Sequence, residues 1–323
     1  MTIARALVGA LALGLALAGP AAAQGRLEDP EAVIVAELVV QAKEPGPAWW
    51  RVEDDDTTVW ILGMPDSDLP AGTAWDRRFV DRRLKGANSL IVGTRIGLSG
   101  RLRDVPLILR TVNQMKSKTP LEETLPEPLR SRFVAARERV GQPAGRYSGW
   151  KGLVAGMRLA EDARGKGAVA VTSSILRQAK REKVKAVDPA RYQIAPFLKQ
   201  ATGSLTPALH QQCLEEAVRD VEAGRRGRDA AAARAWTRGD VAGALTAPRN
   251  FQKCVLLIGG GGELWRRAIQ DQADAIAAAL QRPGHSVALV SLRPLLAQGG
   301  VAERLEARGL EVIGPGGEAE SDS

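Results

Sequence analysis

The stretch "TTVWILGMPDSDLPAG", residues 57–72, decides the fold because it joins a strand to a loop at a glycine. Its first residues are β-branched and apolar, which predicts a buried strand that ends at Gly63. In α/β proteins, loops at the carboxyl ends of strands usually carry the functional side chains. The polar residues of this loop are Asp66, Ser67 and Asp68, and it contains neither histidine nor cysteine.

Two units of the same pattern predict the fold class. A helix and then "NSLIVG" (88–93) follow the first strand, which gives a β-loop-α-β unit over residues 57–93. A second unit runs from the strand "SVALVS" (286–291) through the loop "LRPLLAQGG" and the helix "VAERLEARG" to "LEVIGP". We predict an α/β (α+β) fold whose central mixed β-sheet comes from these N- and C-terminal units, with a largely helical middle region.

Local patterns add further predictions. Residues 32–40 ("AVIVAELVV") predict a strand, and "WWRVEDDDTTVWILG" predicts a hairpin. The acidic run 54–56 is interpreted as its turn, with calcium binding as the less favoured alternative. Thr73 and Asp76 have the spacing of a capping box at the start of the next helix. Later helices are predicted with Leu153, Met157 and Ala160 on one stripe, and with Thr206 as an N-cap.

The two histidines and the glycine run receive structural interpretations. His210 lies one residue off the apolar stripe of its helix, so we expect it to be partly exposed. His285 precedes a strand, at the end opposite the loop, and is expected at the surface. "IGGGGELW" (258–265) lacks the Gly-Lys-Ser/Thr ending that places a lysine on phosphate, so a turn before a helix is preferred to a phosphate loop.

The N-terminus has the pattern of an export signal. Arg5, the apolar run 6–19 and "PAAAQG" form an n-region, an h-region and a cleavage site after Ala23. The apolar run is shorter than the roughly 20 residues of a membrane span, which argues against the alternative of a membrane anchor. We predict a signal peptide at 1–23, one domain at 24–316 and a disordered polar tail at 317–323, with periplasmic localisation and no membrane span after cleavage.

The charge and the cysteine content limit which classes of partner and which cellular compartment we predict. The formal net charge is +8, but the basic residues are mixed with acidic ones, as on solvated helix faces. An exported chain without basic–aromatic interleaving is not expected to bind nucleic acid. One denser basic cluster is a candidate contact for an anionic polymer or lipid surface: Arg177, Lys180, Arg181, Lys183 and Lys185. Cys213 and Cys254 suggest one disulfide in an oxidising compartment, the alternative being two unlinked buried thiols.

Five sequence pieces together resemble the TraB/GumN family, which is related to the TIKI metalloprotease domains. They are "GPAWWRVEDDDTTVWILG" leading into a loop with "LP" and a tryptophan, "RRLKGANSLIV", "QQCLEEAV", "AWTRGDVAGAL" followed by a cysteine, and "GHSVALVSLRPLLAQGGVAERLEARGLEVIGP". The resemblance covers nearly the whole chain after the leader. It implies two Gly-x-x-His motifs, each after a strand, and a glutamate at a further strand end. In active relatives such residues hold one metal ion that activates water.

This sequence departs from that pattern at every ligand position. The first motif begins with Gly63 and has Asp66 in the histidine position, and Gly93 stands where glutamate is expected. In the second motif Ser291 replaces glycine and Pro294 replaces histidine. Because a catalytic divalent metal needs about three protein ligands, we predict no metal, no cofactor and no catalytic residue at this site.

The resemblance and the lost ligands predict a non-catalytic binding or accessory domain of the cell envelope. Its partner would be a polymer, peptide or protein, bound in the cleft beside the loops after Gly63 and Ser291. Arg293 is a candidate anion contact there, or a plain surface residue. Two alternatives stay open: a divergent hydrolase, peptidase-like, with Asp66 as general base, and an assembly protein that uses the basic cluster.

Overall fold

The computed structural model describes residues 29, 31–36, 39–66, 69–93, 98–99, 102–164, 171–247 and 249–316. The predicted signal peptide and polar tail lie outside these residues. Within them, no helix is long and apolar enough to cross a membrane.

A six-stranded mixed sheet forms the centre of the molecule, in the order β5-β3-β7-β2-β1-β8, and a two-stranded sheet pairs β4 with β6. The predicted fold class is therefore confirmed. The described strands are β1 (Trp49–Glu53), β2 (Thr57–Met64), β3 (Leu90–Ile91), β4 (Leu98–Ser99), β5 (Ala186–Val187), β6 (Tyr192–Gln193), β7 (Gly284–Ser291) and β8 (Val312–Ile313).

Strands β2 and β7 are the two long central strands, and they pair in parallel over eight residues, from Thr57 with Gly284 to Met64 with Ser291. Each has a continuous apolar run at its centre, Val59–Leu62 in β2 and Val287–Val290 in β7, as expected for strands covered on both faces. The first unit inserts β3 on the far side of β7, whereas the second places β8 beyond β1. The two predicted units are therefore interleaved in one sheet.

Helices fill the rest of the described chain. They are α1 (Arg78–Leu84), α2 (Val105–Met115), α3 (Leu121–Thr124), α4 (Leu129–Arg139), α5 (Gly152–Arg164), α6 (Val171–Arg181), α7 (Ile194–Ser204), α8 (Pro207–Glu222), α9 (Arg225–Trp236), α10 (Val241–Ala244), α11 (Asn250–Leu257), α12 (Gly261–Ala279), α13 (Leu292–Leu296) and α14 (Val301–Glu306). One core surrounds the six-stranded sheet. A second core is built by α3, α4, α5, α8 and α11.

The predicted β1–β2 hairpin is present, and its turn is closed by local hydrogen bonds. The Thr57 amide donates to Asp54 Oδ1 at 3.0 Å, and the Thr57 hydroxyl donates to Asp56 Oδ1 at 3.0 Å. These contacts give Asp54 and Asp56 the structural roles expected of turn aspartates.

Four local predictions were wrong. The described part of 32–40 forms no strand and makes one isolated bridge, Ile34 with Ala297. The first helix begins at Arg78 without a side-chain cap, so the Thr73 capping box does not form. "LRPLLAQGG" contains helix α13. Met157 is 52% exposed. The buried stripe of α5 instead consists of small residues and Leu159, and Gly156 on this stripe lets α5 approach α8 closely.

The expectation of a partly exposed His210 was also wrong. His210 is only 8% exposed, because α5 packs across α8 at Gly152. Its Nδ1 accepts a hydrogen bond from the Leu153 amide at 3.3 Å. Burial, together with the nearby Lys151, lowers the pKa of His210. His285 is half-buried at the start of β7, with Nε2 3.0 Å from the Arg83 carbonyl oxygen.

The predicted disulfide is present between Cys213 on α8 and Cys254 on α11, with the two Cα atoms 5.5 Å apart. Both cysteines are fully buried in the second core. The bridge therefore fixes α11 against α8, and α11 leads into α12, the longest helix in the described part of the chain.

We expect loss of this bridge to destabilise the protein. The bridge spans 41 residues, and constraining such a loop in the unfolded chain contributes roughly 3–4 kcal/mol. Chemical denaturation of the native protein with and without reductant measures this difference. The Cys213→Ala/Cys254→Ala variant is the control, and its midpoint should not respond to reductant.

Protonation of His210 should weaken the fold at mildly acidic pH. A histidine with a lowered pKa contributes stability that is present above its unfolded pKa of about 6.5 and is lost as pH falls through the folded pKa. The stability advantage of the native protein over His210→Asn, whose amide oxygen can replace Nδ1, should therefore shrink between pH 7.5 and 5. Urea unfolding at several pH values measures it, and a constant difference would contradict the assignment.

Candidate functional site

The loops after β2 and β7 start at the same edge of the sheet. Met64 and Ser291 lie opposite each other at the carboxyl ends of the two parallel strands. Asp66 and Arg293 are each two residues past this pair. The predicted meeting of the two motif loops is therefore a direct result of the β2–β7 register.

Gly63 is required by the packing under this edge. A Cβ atom there would lie 2.5 Å from Leu292 Cδ2 and 2.5 Å from Trp50 Cζ3, which leaves no room for a side chain. The carbonyl oxygen of Gly63 accepts a 2.6 Å hydrogen bond from Trp236 Nε1. Trp75 packs on Trp236 with ring centroids 5.3 Å apart. Through this hydrogen bond and the contact between the two tryptophans, the first motif is connected to α9 and to the segment before α1.

Asp66 and Arg293 form an ion pair across the two loops. Arg293 Nε donates to Asp66 Oδ2 at 3.1 Å, and the side chains are 13% and 14% exposed for Arg293 and Asp66. Arg293 Nη2 also donates to the carbonyl oxygen of Leu245, at the end of α10. The guanidinium therefore holds together the second motif, the first motif and α10.

A second arginine, Arg249, lies at the same edge and binds two acidic residues of the N-terminal segment. Arg249 Nη2 donates to Glu31 Oε2, and Trp265 Nε1 donates to Glu31 Oε1 at 2.8 Å. Arg249 Nη1 is 3.7 Å from Asp29 Oδ2. Glu31 is only 3% exposed, so both carboxylate oxygens are satisfied inside the protein.

The position of Arg249 is set by a buried carboxylate on α8. Asp220 is fully buried and accepts the backbone amides of Asn250 at 3.0 Å and Phe251 at 3.2 Å. These amides begin α11, and a carboxylate satisfies them as an N-cap would. Arg225 neutralises Asp220 at 2.8 Å. The residue directly before α11, Arg249, is therefore held in a fixed place.

The two ion-pair groups form one charge network of three carboxylates and two guanidiniums. Burial raises the pKa of Asp66, while Arg249 and Arg293 oppose the rise and Asp29 adds to it. Burial likewise raises the pKa of Glu31, opposed by Arg249 and Trp265 and reinforced by Asp66. Asp66 and the N-terminal acids therefore interact electrostatically, with the arginines between them.

The other motif positions contribute no side chain to this network. Ser291 precedes α13 and makes no side-chain cap, and Pro294 is buried within α13. A Cβ on Gly93 would lie 3.0 Å from the Leu289 carbonyl oxygen, which already accepts a 2.7 Å hydrogen bond from Gln272 Nε2. Any side chain at position 93 would therefore crowd the Leu289 carbonyl oxygen and its hydrogen bond with Gln272.

The basic cluster lies elsewhere. Its members are exposed on α6 and on the segment after it, whereas α6 buries the opposite face that includes Ile175. The cationic face of α6 is therefore exposed, which leaves the cluster open as a candidate contact for an anionic surface.

The chain belongs to the TraB/PrgY/gumN family, whose model matches residues 48–313. No curated protein and no solved structure shows significant similarity to it.

The residues at the carboxyl edge do not fit the metal that the family resemblance implies. Asp66 is paired with a guanidinium, Pro294 offers no donor atom, and Gly93 has no side chain. Across the described residues, no group of three or more His, Cys, Asp or Glu side chains is arranged to hold a metal ion. The donors present are instead suited to an anion, because guanidinium and indole groups donate hydrogen bonds and accept none.

The structure brings together Asp66 and Arg293 of the predicted site residues, and Ser291 lies beside them. Sequence reasoning missed Arg249, Glu31, Asp29 and Trp265. Glu31 is 218 residues from Arg249 and 234 from Trp265, and no local pattern links them. The acidic residues of "LEDPE", residues 27–31, were the only available signal.

Removal of Arg293 should be costly because it leaves the Asp66 carboxylate buried without its partner. Breaking a buried pair typically costs about 3–5 kcal/mol, and the slight exposure here favours the lower end. We expect about 3 kcal/mol for Arg293→Met, with a substantial part recovered in Asp66→Asn/Arg293→Met. Urea unfolding in a double-mutant cycle measures the coupling.

The matched control for this cycle is Arg78→Met. Arg78 contacts Asp76 at 2.6 Å but is 77% exposed, and exposed pairs contribute at most about 1 kcal/mol. Equal losses in Arg78→Met and Arg293→Met would contradict the importance of the Asp66–Arg293 pair.

Proposed function

We propose that this protein is an exported, periplasmic member of the TraB/PrgY/gumN family that is catalytically inactive and acts as a binding or accessory domain in the cell envelope. The observation that carries the proposal is the Asp66–Arg293 pair at the edge where active relatives are expected to hold a metal. A guanidinium supplies fixed positive charge there and has no exchangeable coordination position, so it cannot activate water as a metal does.

The surroundings of Asp66 support binding over proton transfer. Asp66 Oδ2 already accepts from Arg293, and neither histidine of the chain is available nearby. His210 belongs to the α5–α8 contact, and His285 lies at the other end of β7. Ser291 therefore lacks the histidine base that a serine nucleophile requires.

Export is supported by two independent features. The first 23 residues have the organisation of a cleavable signal. The buried Cys213–Cys254 bridge is of the kind that persists in oxidising compartments.

Metal titration of the purified protein tests the proposal. After chelator treatment, calorimetry with Zn²⁺, Mn²⁺ and Co²⁺ should show no one-to-one uptake, and a peptidase and esterase panel should show no turnover that Asp66→Ala abolishes. Arg293→Ala is the informative comparison, because it removes the guanidinium and leaves the carboxylate. Stoichiometric uptake by the native protein, or turnover dependent on Asp66, would favour the divergent hydrolase instead.

A further inference from the structure

The N-terminal residues 29 and 31–35 lie against the edge of the sheet formed by the loops after β2 and β7. The Ala32 amide donates to the Asp29 carbonyl oxygen at 3.0 Å, so the segment begins with a turn, and residues 33–35 then pair with the chain after α13. Ile34 bridges Ala297 in antiparallel orientation. The Val35 amide donates to the Leu296 carbonyl oxygen at 2.9 Å, and the Gln298 amide donates to the Val33 carbonyl oxygen at 2.9 Å. The segment precedes the 48–313 region matched by the family model. It pairs with the main chain after α13 from outside the matched region.

The segment presents a specific pattern of side chains to the protein. Glu31 is buried and bound by Arg249 and Trp265, while Ala32 and Val33 are exposed. Ile34 and Val35 are half-buried and pack against the main core. The contact therefore selects an acidic residue, two residues of free choice and then an aliphatic pair.

The site that binds the Glu31 carboxylate consists of the side chains of Arg249 and Trp265, and it is called the acid receptor below. The backbone at Arg249 is positioned by the Asp220 cap of α11, and Trp265 belongs to α12, so both donors are carried by helices outside the segment. Arg249 Nη1 is buried and makes no hydrogen bond with a described residue. The receptor thus retains donor capacity beyond that used by Glu31.

We propose that the segment is an intramolecular stand-in for the ligand of this cleft, and that the ligand is a peptide with the pattern Glu-x-x-Ile-Val, its acid in a turn and its aliphatic end paired as a strand. The inference rests on the proposed function, because it names the partner class of that same site. The ligand would add as a strand along residues 296–298, with its acid on Arg249 and Trp265. Main-chain pairing favours a peptide over an acidic polysaccharide, which has no amide ladder to offer.

A tethered occupant competes with any free ligand. Attachment to the same chain gives the segment an effective concentration of about millimolar order. A free peptide therefore binds measurably only when the segment is weakened or when the peptide makes better contacts. The segment therefore competes with free peptides, and only a peptide with a higher affinity than the tethered segment's effective concentration allows for can displace it.

Fluorescence anisotropy with a labelled peptide of residues 24–36 tests this inference on the full-length mature protein. We expect Glu31→Ala to bind the peptide at least ~10-fold more tightly than the native protein, since the tethered copy loses a charge-assisted anchor. Val35→Pro, which removes the amide donated to Leu296, provides a second route to the same result if Glu31→Ala does not fold. Glu263→Ala, at an exposed α12 position, is the control and should bind as the native protein does.

Two further comparisons establish where the peptide binds. A peptide with Glu31→Gln should bind Glu31→Ala protein at least ~10-fold more weakly than the parent peptide, because a neutral amide forfeits the ion pair with Arg249. Trp265→Phe, combined with Glu31→Ala, should also weaken binding by removing the indole donor. Equal binding of the two peptides, equal binding by native and both segment variants, or preference for a uronic-acid polymer over the peptide would overturn the inference.

These outcomes are separable from those of the metal titration. Peptide exchange is measured in chelator, so it does not depend on metal uptake or turnover. Metal uptake with normal peptide exchange refutes only catalytic inactivity, whereas failed exchange without metal uptake refutes only the assigned ligand.

Discussion

The eight-residue parallel pairing of β2 with β7 is the constraint on which the rest of the structure depends. It joins two strands more than 200 residues apart in sequence and makes them the buried centre of the sheet. Since parallel strands present their carboxyl ends at one edge, the loops containing Asp66 and Arg293 must meet there. The register then places the two residues at equivalent positions, which makes a direct ion pair possible.

The helical layer contributes the second half of the site through its own buried contacts. The disulfide between Cys213 and Cys254 and the Asp220 cap both fix α11 to α8. Arg249 lies immediately before α11, so these contacts also position its backbone. The carbonyl oxygen of Leu245, at the end of α10, in turn receives the Arg293 guanidinium. The edge of the sheet is thus enclosed by residues whose positions are set in a different core.

Charge compensation explains why so many ionisable groups can be buried at one place. A buried carboxylate without a partner would be strongly destabilising, and burial raises the pKa values of Asp66 and Glu31 because it disfavours their charged forms. Two arginines partly offset this cost by donating directional hydrogen bonds from a fixed positive charge. In a metal-dependent hydrolase a divalent ion supplies positive charge and an open coordination position. Here two guanidiniums of the chain itself supply the positive charge, and they are paired with Asp29, Glu31 and Asp66.

The sequence by itself determined the strand that runs into Gly63, the second unit from residue 286, the helical middle and the Thr206 helix start. These depend on periodicity and capping within a few residues, which sequence patterns record directly. It also predicts that Gly93 and Pro294 supply none of the family's expected ligands and that Asp66 alone remains of the three positions. Only the tertiary structure decided that the described part of 32–40 forms no strand, that His210 is buried, and that Glu31 contacts Arg249 and Trp265. Those outcomes depend on contacts between residues 57 to 234 positions apart, for which no local pattern exists because the chain brings them together only through the packing of two separate cores.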